Sequence, residues 1–466
     1  MSSFPFHVKE HKVPCQHVRE WPRATANSQE DVLYLHVKQY IPKDNPSPQP
    51  GDVTIIGTHA NGFPKELYEA LWSDLHSEAA KQSPAFRIRG IWIADTSNQG
   101  YSGELNEASL GNDPCWHDLS RDLLHLTNVF RAEMPGPIVG VGHSFGANVL
   151  AHLSLLHPRL LSTLVLLDPT IIVFDPARSS GPGTTPARAS AFRRDLWPSR
   201  ADAVASFARS PFYRTWDPRV LDAWNRHAIR DLPTPLYPAL PDSEGGGGGG
   251  ATLRTTKHQE VFTFFRPLYP YLTTSTTLSS SSLSTAPENN QQDNHPKFTI
   301  SKSGAPDYDP ALISTLPPGQ PPFPFYRSEG GVVLHSLPYI RPSVLFIHGG
   351  SSDLSTPQLR HLRVSTCGIG PGGSGGGKDG KVRDVVMPDM GHLFPMQDPS
   401  TTAAHTASWI AEQMVGWRQE QVAYEAWTRR PMSEKNTLSK EFVEKVGRPE
   451  GKGKGKGSKK AGEAKL

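Results

Sequence analysis

Short apolar runs recur along this chain at spacings that leave room for a helix between neighbouring runs. Such alternation is typical of a mainly parallel β-sheet whose strands are joined by helices. The predicted parallel strands are Val53–Gly57, Ile88–Ala94, Ile138–Val141, Thr163–Leu167, Ser343–His348 and Arg383–Met387. Further upstream, Leu33–Tyr40 alternates apolar and polar residues, which predicts an antiparallel strand at the edge of the sheet.

Stretches with apolar residues at helical spacing fill the gaps between these strands. The predicted helices are Lys65–Lys81, His117–Arg131, Phe145–Leu156 and Ala403–Ala426. Strands and helices together predict the α/β fold class, with a mostly parallel sheet and helices on both of its faces.

The pattern breaks between about Pro169 and Arg341, where proline and aromatic residues are frequent. Six consecutive glycines and, later, a Ser/Thr-rich tract interrupt this region, and neither can bury enough apolar surface to fold alone. We therefore expect a core in two parts, 1–169 and 342–430. A cap insertion with disordered segments is expected at 170–341, and a flexible basic tail at 431–466.

One motif at the end of an apolar run carries chemistry. Gly142-His-Ser144-Phe-Gly146 directly follows the strand predicted at Ile138–Val141 and opens the helix that begins at Phe145. A serine between two glycines at a strand-to-helix turn resembles the nucleophile elbow of the α/β-hydrolases. The same spacing at Gly372–Gly376 lies in a glycine-rich loop with no apolar strand before it, so the context selects Ser144 as the nucleophile.

A serine nucleophile needs a base, and α/β-hydrolases supply the triad in the chain order Ser, Asp or Glu, His. Of the 19 histidines, only His392 follows a late strand through a glycine, in Gly391-His392. The sequence therefore predicts His392 as the base. His143, beside the nucleophile, is expected to point along its strand and away from the site.

Two aspartates can orient that base, and the pattern leaves both open. Asp168 ends the strand after the nucleophile helix, and Asp353 follows the next predicted strand. Because neighbouring parallel strands end at the same edge of a sheet, both carboxylates can reach the imidazole. Each also has a structural explanation: Asp168 can open an Asp-Pro turn, and Asp353 can cap the following helix.

The loop His59–Phe63 follows an early strand, as the oxyanion loops of this superfamily do. Backbone N–H groups of Asn61 and of Phe145 are predicted to stabilise the negative oxygen of a tetrahedral intermediate. Aromatic side chains of the cap are expected either to roof a long apolar slot or to pack into a small core of their own. The first cluster consists of Phe207, Phe212, Tyr213, Trp216 and Trp224.

The composition argues against several classes of protein. The formal net charge is only +3, and the lysines concentrate near the C-terminus, so the predicted fold offers no basic face for nucleic acid. Neither a secretory signal nor a run of about 18 apolar residues is present, which argues against secretion and a transmembrane segment. Three distant cysteines favour free thiols in a reducing compartment, and we expect neither a metal nor a cofactor.

The last three residues, Ala464-Lys465-Leu466, are a conservative variant of the peroxisomal address Ser-Lys-Leu. We therefore expect the peroxisomal import receptor as a partner and the peroxisomal matrix as the location.

The elbow, the His59–Phe63 loop, the glycine-rich stretch Gly368–Val382 before Gly391-His392 and this ending together resemble a fungal group of peroxisomal α/β-hydrolases. The group includes the acyl-CoA hydrolase of mycophenolic acid biosynthesis and hydrolases of host-toxin biosynthesis. The resemblance covers the sheet core and very little of the cap. It implies an α/β-hydrolase fold with a large inserted cap, and a triad acid at the position of Asp168, with Asp353 as the alternative.

The function expected on these grounds is a serine hydrolase that cleaves an acyl thioester, an acyl-CoA of a secondary-metabolite intermediate, through an acyl-serine. A peroxisomal carboxylester lipase or esterase with the same triad is the nearest alternative. An alternative of a different class is a non-catalytic binding protein on a hydrolase scaffold.

Overall fold

The computed structural model describes residues 4–82, 84–173, 184–238, 250–275, 297–309 and 322–448. Its contacts divide the chain into two units, residues 1–414 and 415–466. The predicted tripeptide address at residues 464–466 and the low-complexity segments of the cap lie mostly or wholly outside the described residues.

The chain builds most of the sheet before the cap begins. The strands are β1 (Phe6–Pro14), β2 (Tyr34–Pro42), β3 (Val53–Thr58), β4 (Ile88–Ala94), β5 (Ile138–His143) and β6 (Thr163–Leu167). The helices of this part are α1 (Glu69–Lys81), α2 (Gly100–Asn106), α3 (Trp116–Val129) and α4 (Phe145–Leu156), with short 3-10 helices at Pro22–Ala24 and Lys65–Tyr68.

The segment between the two parts of the core forms short elements. Its helices are α5 (Thr184–Phe192), α6 (Arg200–Arg209), α7 (Pro218–His227) and α8 (Lys257–Phe264), with 3-10 helices at Tyr213–Thr215 and Tyr269–Tyr271. Its strands are β7 (Leu196–Trp197), β8 (Ile229–Asp231), β9 (Ala251–Leu253), β10 (Arg266–Pro267), β11 (Leu272–Ser275), β12 (Lys297–Ile300) and β13 (Phe325–Tyr326). They pair into one three-stranded and two two-stranded antiparallel sheets.

The chain then returns to the core. Its strands are β14 (Ser343–Gly349) and β15 (Val382–Met387). Its helices are α9 (Glu329–Ser336), α10 (Pro357–Thr366), α11 (Phe394–Gln397) and α12 (Pro399–Thr428), with 3-10 helices at Leu337–Tyr339, Asp353–Ser355 and Gly377–Asp379. The second unit contains the end of α12, α13 (Met432–Lys435) and α14 (Lys440–Val446), and most of the side chains there are exposed.

The eight-stranded central sheet has the order β1-β2-β4-β3-β5-β6-β14-β15. The pair β2–β4 is antiparallel, and every pair from β4 to β15 is parallel. The α/β fold class is therefore confirmed. The antiparallel strand expected at Leu33–Tyr40 is confirmed as β2, but its expected position at the edge is wrong, because β1 pairs antiparallel with its outer side. Most side chains of β1 are exposed, so its sequence lacks the apolar alternation from which a strand is predicted.

Alternate residues of the central strands face two cores. On β6, Leu164 and Leu166 pack in one cluster with side chains of α3, α4 and α9. Thr163 points to the opposite face, where its hydroxyl accepts a hydrogen bond of 2.8 Å from the buried indole Nε1 of Trp409 on α12. The parallel strands β3, β5, β6 and β14 are buried on both faces, which explains their continuous apolar runs.

The beginning and the end of the inserted segment lie side by side. Asn148 on α4 donates hydrogen bonds of 3.1 Å from Nδ2 to the carbonyl oxygens of both Thr170 and Glu329. At Gly330 the backbone approaches Ile172 so closely that an added Cβ would lie 2.5 Å from the Ile172 carbonyl oxygen. The insertion therefore leaves and re-enters the core at one place beside the nucleophile helix.

Candidate active site

Ser144 occupies the sharp turn between β5 and α4. Its φ of 60° and ψ of −122° lie in a region that residues other than glycine rarely adopt. An added Cβ would lie 2.6 Å from Thr58 Oγ1 at Gly142 and 2.6 Å from the His59 carbonyl oxygen at Gly146. The two glycines thus let the turn pass close to β3, and the hydroxyl of Ser144 reaches a cavity above the strand ends.

His392 lies in the loop after β15 and connects the serine to a carboxylate. Its Nε2 is 2.9 Å from Ser144 Oγ, and its Nδ1 is 2.6 Å from Asp168 Oδ2. The hydroxyl of Thr170 is a further neighbour, 3.3 Å from Ser144 Oγ. The structure therefore brings together a serine, a histidine and an aspartate that lie far apart in sequence.

The Asp168 carboxylate is fully buried and accepts several hydrogen bonds besides that of His392. Gly349 N–H donates to it at 3.2 Å and Ser352 Oγ at 2.5 Å, and Ser355 Oγ donates as well. Burial by itself would raise the pKa of Asp168, but the hydrogen bond and charge of His392 and the two serine hydroxyls hold it well below its ordinary value. The group is a carboxylate at neutral pH.

Two buried side chains, Arg363 and His348, lie close to the Asp168 carboxylate. Arg363 is fully buried and donates from Nη2 to the Leu354 carbonyl oxygen at 2.8 Å. Burial lowers its pKa to about 10, against the opposing effect of the Asp168 charge, so the guanidinium remains charged at neutral pH. His348 lies 2.9 Å from Ser355 Oγ, and burial lowers its pKa to about 3, so it is neutral. Sequence reasoning missed both groups, because neither stands in a recognisable motif.

Asp353 has a different environment. It is exposed at the start of the short 3-10 helix Asp353–Ser355 and lines the wall of the cavity. The Nδ1 atom of His392 faces Asp168 on β6, and the structure records no hydrogen bond from His392 to Asp353. Of the two candidate acids, the geometry thus favours Asp168.

The loop that carries Asn61 is held by its side chains. Asn61 Oδ1 accepts from Gln99 Nε2 at 2.6 Å, and Asn61 Nδ2 donates to the Glu260 carbonyl oxygen on α8 at 3.0 Å. Gln99 Oε1 also accepts from Gly62 N–H at 2.7 Å. Both Asn61 and Phe145 line the cavity, and Phe145 N–H, as the first amide of α4, has no acceptor within its helix.

The expectation that His143 points away from the site is wrong. Its Nε2 lies 2.9 Å from the carbonyl oxygen of His392, and its Nδ1 lies 2.8 Å from Tyr68 Oη. The loop after β15 folds over the end of β5 and so reaches the side chain that precedes the nucleophile. Sequence periodicity gave no information about this loop.

A cavity of about 820 Å³ opens above Ser144 and His392. Its wall is mainly apolar and comes from the core and from cap elements; the larger apolar and aromatic residues are Phe63, Trp116, Phe145, Ile172, Phe212, Tyr213, Trp216, Phe264, Phe265, Leu354 and Leu393. Tyr213 and Trp216 also pack on Trp224. The aromatic cluster therefore does both things expected of it: it forms a small core and lines an apolar slot.

Within the described ranges, no group of three or more His, Cys, Asp or Glu side chains is arranged to hold a metal ion. Cys15, Cys115 and Cys367 are free and buried. Among the described helices, none combines the length and apolar character needed to cross a lipid bilayer.

A known family accounts for this fold and this arrangement of residues. The alpha/beta hydrolase family matches residues 55–405, three quarters of the chain. The chain belongs to this family and is a hydrolytic enzyme.

Three relatives match 90% or more of the chain, one from Penicillium roqueforti and two from Penicillium brevicompactum. The type I acyl-CoA thioesterase mpaH of Penicillium roqueforti (strain FM164) is 36% identical over 99% of this chain and 99% of its own length. The type I acyl-CoA thioesterase mpaH' of Penicillium brevicompactum is 39% identical over 90% of each chain. The abhydrolase domain-containing protein AFT2-1 of Alternaria alternata is 30% identical over 61% of this chain and 87% of its own. The resemblance to this fungal group is therefore confirmed, but the expectation that it covers very little of the cap is wrong, because the match to mpaH spans 99% of this chain.

Among solved structures, the peroxisomal alpha-beta-hydrolase Lpx1 of Saccharomyces cerevisiae has a similar fold. It superposes with a TM-score of 0.61 at 15% identity, over 88% of this chain and 90% of its own. At that identity the likeness supports the fold and nothing finer.

Proposed function

We propose that the protein is a serine hydrolase that cleaves an acyl thioester, with an acyl-CoA as substrate. The observation that carries this proposal is the hydrogen-bonded chain from Ser144 through His392 to the buried Asp168, at the base of a large apolar cavity. The cavity matches the apolar part of an acyl group in character and size.

In this mechanism His392 accepts the proton of Ser144 as the serine oxygen attacks the acyl carbonyl. Asp168 orients the imidazole through Nδ1 and stabilises the positive charge that the ring gains. The N–H groups of Asn61 and Phe145 donate to the oxyanion, a contribution of about 3 kcal/mol for one such donor. The thiol leaves with the proton from His392, and His392 then deprotonates a water molecule that hydrolyses the acyl-serine.

The thioester is preferred to an oxygen ester because of the relatives. The three relatives that match 90% or more of the chain all bear the name type I acyl-CoA thioesterase. The triad itself is suited to either bond, since a serine nucleophile attacks the carbonyl of both. An acyl group of a secondary-metabolite intermediate follows from the resemblance to the fungal group.

The test compares two substrates and one variant. Purified protein is incubated with decanoyl-CoA while the released thiol is followed, and in parallel with the glyceride of the same acyl chain. Turnover of the thioester in excess of the glyceride, absent in Ser144→Ala, is the expected result. Preference for the glyceride would favour the carboxylester lipase instead.

A non-catalytic binding protein is the alternative of a different class. A fluorophosphonate probe reacts only with an activated serine, and we expect covalent labelling of Ser144 and none of Ser144→Ala. A folded protein that is never labelled at Ser144 would support the binding protein.

The peroxisomal matrix is the compartment we propose, on the tripeptide Ala464-Lys465-Leu466. A fluorescent protein fused ahead of residue 1 tests it. Colocalisation with a peroxisomal marker that is lost on deletion of Leu466 is the expected outcome, and a diffuse signal for both proteins would contradict it.

A further inference from the structure

A second chain of hydrogen bonds connects two loops of the candidate active site. Ala60 N–H donates to Tyr68 Oη at 2.9 Å, and Tyr68 Oη lies 2.8 Å from His143 Nδ1. His143 Nε2 lies 2.9 Å from the carbonyl oxygen of His392. The chain therefore runs from the residue before Asn61 to the backbone of the histidine.

The direction of each hydrogen bond follows from the groups involved. A carbonyl oxygen can only accept, so Nε2 of His143 carries the proton that points to His392. Burial lowers the pKa of His143 most, and the charge of His392 lowers it further, to about 3. The His143 ring is therefore neutral, and its Nδ1 is an acceptor. The Tyr68 hydroxyl therefore donates to His143 and accepts from Ala60, and the chain has a single arrangement.

Water cannot replace these hydrogen bonds. Tyr68 is 2% exposed, Ala60 1% and His143 not at all. Removal of one hydroxyl or ring leaves buried donors and acceptors unpaired, and such groups shift or become disordered to find new partners. The loop of Ala60 and the loop of His392, which lie at the two ends of this chain of hydrogen bonds, would then no longer be held in fixed positions relative to each other.

We propose that Tyr68 and His143 are positioning residues of the hydrolase. They hold the imidazole of His392 and the amide of Asn61 in register, so that the base and the oxyanion donor act on the same carbonyl group. Displacement of a catalytic group by about 1 Å costs up to about 100-fold in rate, so this register matters for turnover. The proposal rests on the proposed function of the Ser144 site.

Tyr68→Phe is the principal test, because it removes one oxygen atom and keeps the ring. We expect kcat on decanoyl-CoA to fall about 10- to 100-fold with little change in KM, since the cavity wall is untouched. The rate constant of fluorophosphonate labelling at Ser144 should fall by a similar factor. The matched control is Tyr40→Phe: Tyr40 is equally buried and its hydroxyl bonds Glu69 at 3.0 Å, outside the site. We expect its kcat to be unchanged.

A pair of substitutions at His143 sharpens the test. His143→Gln offers a carbonyl oxygen to Tyr68 and an amide N–H to His392, so kcat should stay within about 3-fold of wild type, whereas His143→Leu should resemble Tyr68→Phe. The double variant Tyr68→Phe, His143→Leu should be no worse than either single variant, because the chain is already broken.

Unchanged kcat in Tyr68→Phe, or an equal loss in Tyr40→Phe, overturns the positioning proposal. If His143→Leu does not fold, the two tyrosine variants decide the question without it. If the wild-type protein is labelled at Ser144 but hydrolyses no acyl-CoA, the thioesterase proposal fails, and the labelling rates of the variants still decide the positioning proposal.

Discussion

The carboxylate of Asp168 and the indole of Trp216 both belong to the candidate site, and different forces hold them in place. Asp168 is fixed by directional hydrogen bonds from Gly349, Ser352, Ser355 and His392 at the ends of parallel strands. Trp216 is held by ring contacts with its neighbours in the cap, such as Tyr213 at a centroid distance of 5.0 Å. Hydrogen bonds to a charge fix an atom closely, whereas apolar packing tolerates changes of shape at similar volume.

This difference separates two tasks. In the proposed mechanism the strand ends hold the reacting groups, where small displacements are costly, and the inserted segment shapes the space for the acyl group, where displacements cost less. Substitutions at the strand ends should therefore act on kcat, and substitutions in the cap on KM and on the choice of acyl chain. Five predictions test that division, in order of decreasing effect.

Ser144→Ala should abolish turnover. Loss of the nucleophile is expected to lower kcat by at least about 10⁴-fold, because only cavity binding and the oxyanion donors remain. Thiol release from decanoyl-CoA measures the effect, and an unchanged thermal melt shows that the variant is folded. Residual activity within about 10-fold of wild type would place the chemistry elsewhere.

Substitutions of the two candidate acids, Asp168 and Asp353, should differ in their effect on kcat. Asp168→Asn is expected to lower kcat by about 10⁴-fold, since an amide cannot stabilise the imidazolium and favours the wrong tautomer. Asp353→Asn, on the exposed wall, should cost less than about 10-fold. Steady-state kinetics of both variants provide the comparison, and the reverse ranking would identify Asp353 as the acid.

Gly62→Ala probes the place where core and cap meet. Gly62 has φ +82°, which strains any other residue, and an added Cβ would lie 2.6 Å from Glu260 Cδ, so the loop that carries Asn61 or the Glu260 side chain must shift. We expect kcat to fall about 10- to 100-fold. Gly372→Ala is the matched control, because Gly372 has φ +77° with no atom within 4 Å of an added Cβ. It should lose about 1 kcal/mol of stability and no activity; equal kinetic losses in both would refute the explanation.

Trp216→Ala should act on substrate binding. The variant enlarges the cavity, and we expect KM for decanoyl-CoA to rise about 10-fold with kcat within about 3-fold. Trp197 is a second buried cap tryptophan that packs on Phe207 at 5.4 Å and does not line the cavity. Trp197→Ala should lose similar stability, about 3 kcal/mol, without the change in KM. A kcat effect confined to Trp216→Ala would contradict the division of tasks.

The smallest effect concerns stability against pH. The folded pKa of Asp168 is lowered, so its ionisation stabilises the protein fully above the unfolded pKa of about 4, and the contribution is lost as the pH falls below that value. The difference in Tm between wild type and Asp168→Asn should therefore shrink from pH 6 to pH 3. Asp118 is the contrast, because burial raises its pKa to about 6. Wild type should lose stability relative to Asp118→Asn as the pH rises from about 4 to 6. A constant Tm difference for Asp168→Asn would contradict the assigned direction.

The central strands β3, β5, β6 and β14 were predictable because they are buried on both faces, so each is a continuous apolar run. Ser144 was predictable because the close approach of the backbone at the turn requires glycine at Gly142 and Gly146. His392 was predictable because it follows a late strand of the sheet. Their catalytic roles stay predictions for the experiments above.

Other features had no local signal. The choice between Asp168 and Asp353 depends on which strand end faces the imidazole, and that is a property of three chain segments together. The side chains that hold Asp168 and Asn61 are common residues such as Ser355 and Gln99, whose importance comes only from their tertiary partners. β1 was missed because an exposed outer strand has no apolar alternation.

The double hydrogen bond of Asn148 has a consequence for how this enzyme can be altered. One amide ties Thr170 to Glu329, so the segment between them leaves and re-enters the core at one closed neck, and further hydrogen bonds, such as that of Asn61 to Glu260, join it to the core. A foreign segment grafted between them must preserve this neck and also replace the contacts that hold the core loops, such as the Glu260 carbonyl oxygen that accepts from Asn61 Nδ2. New acyl specificities are therefore best sought by exchanging whole insertions at this junction.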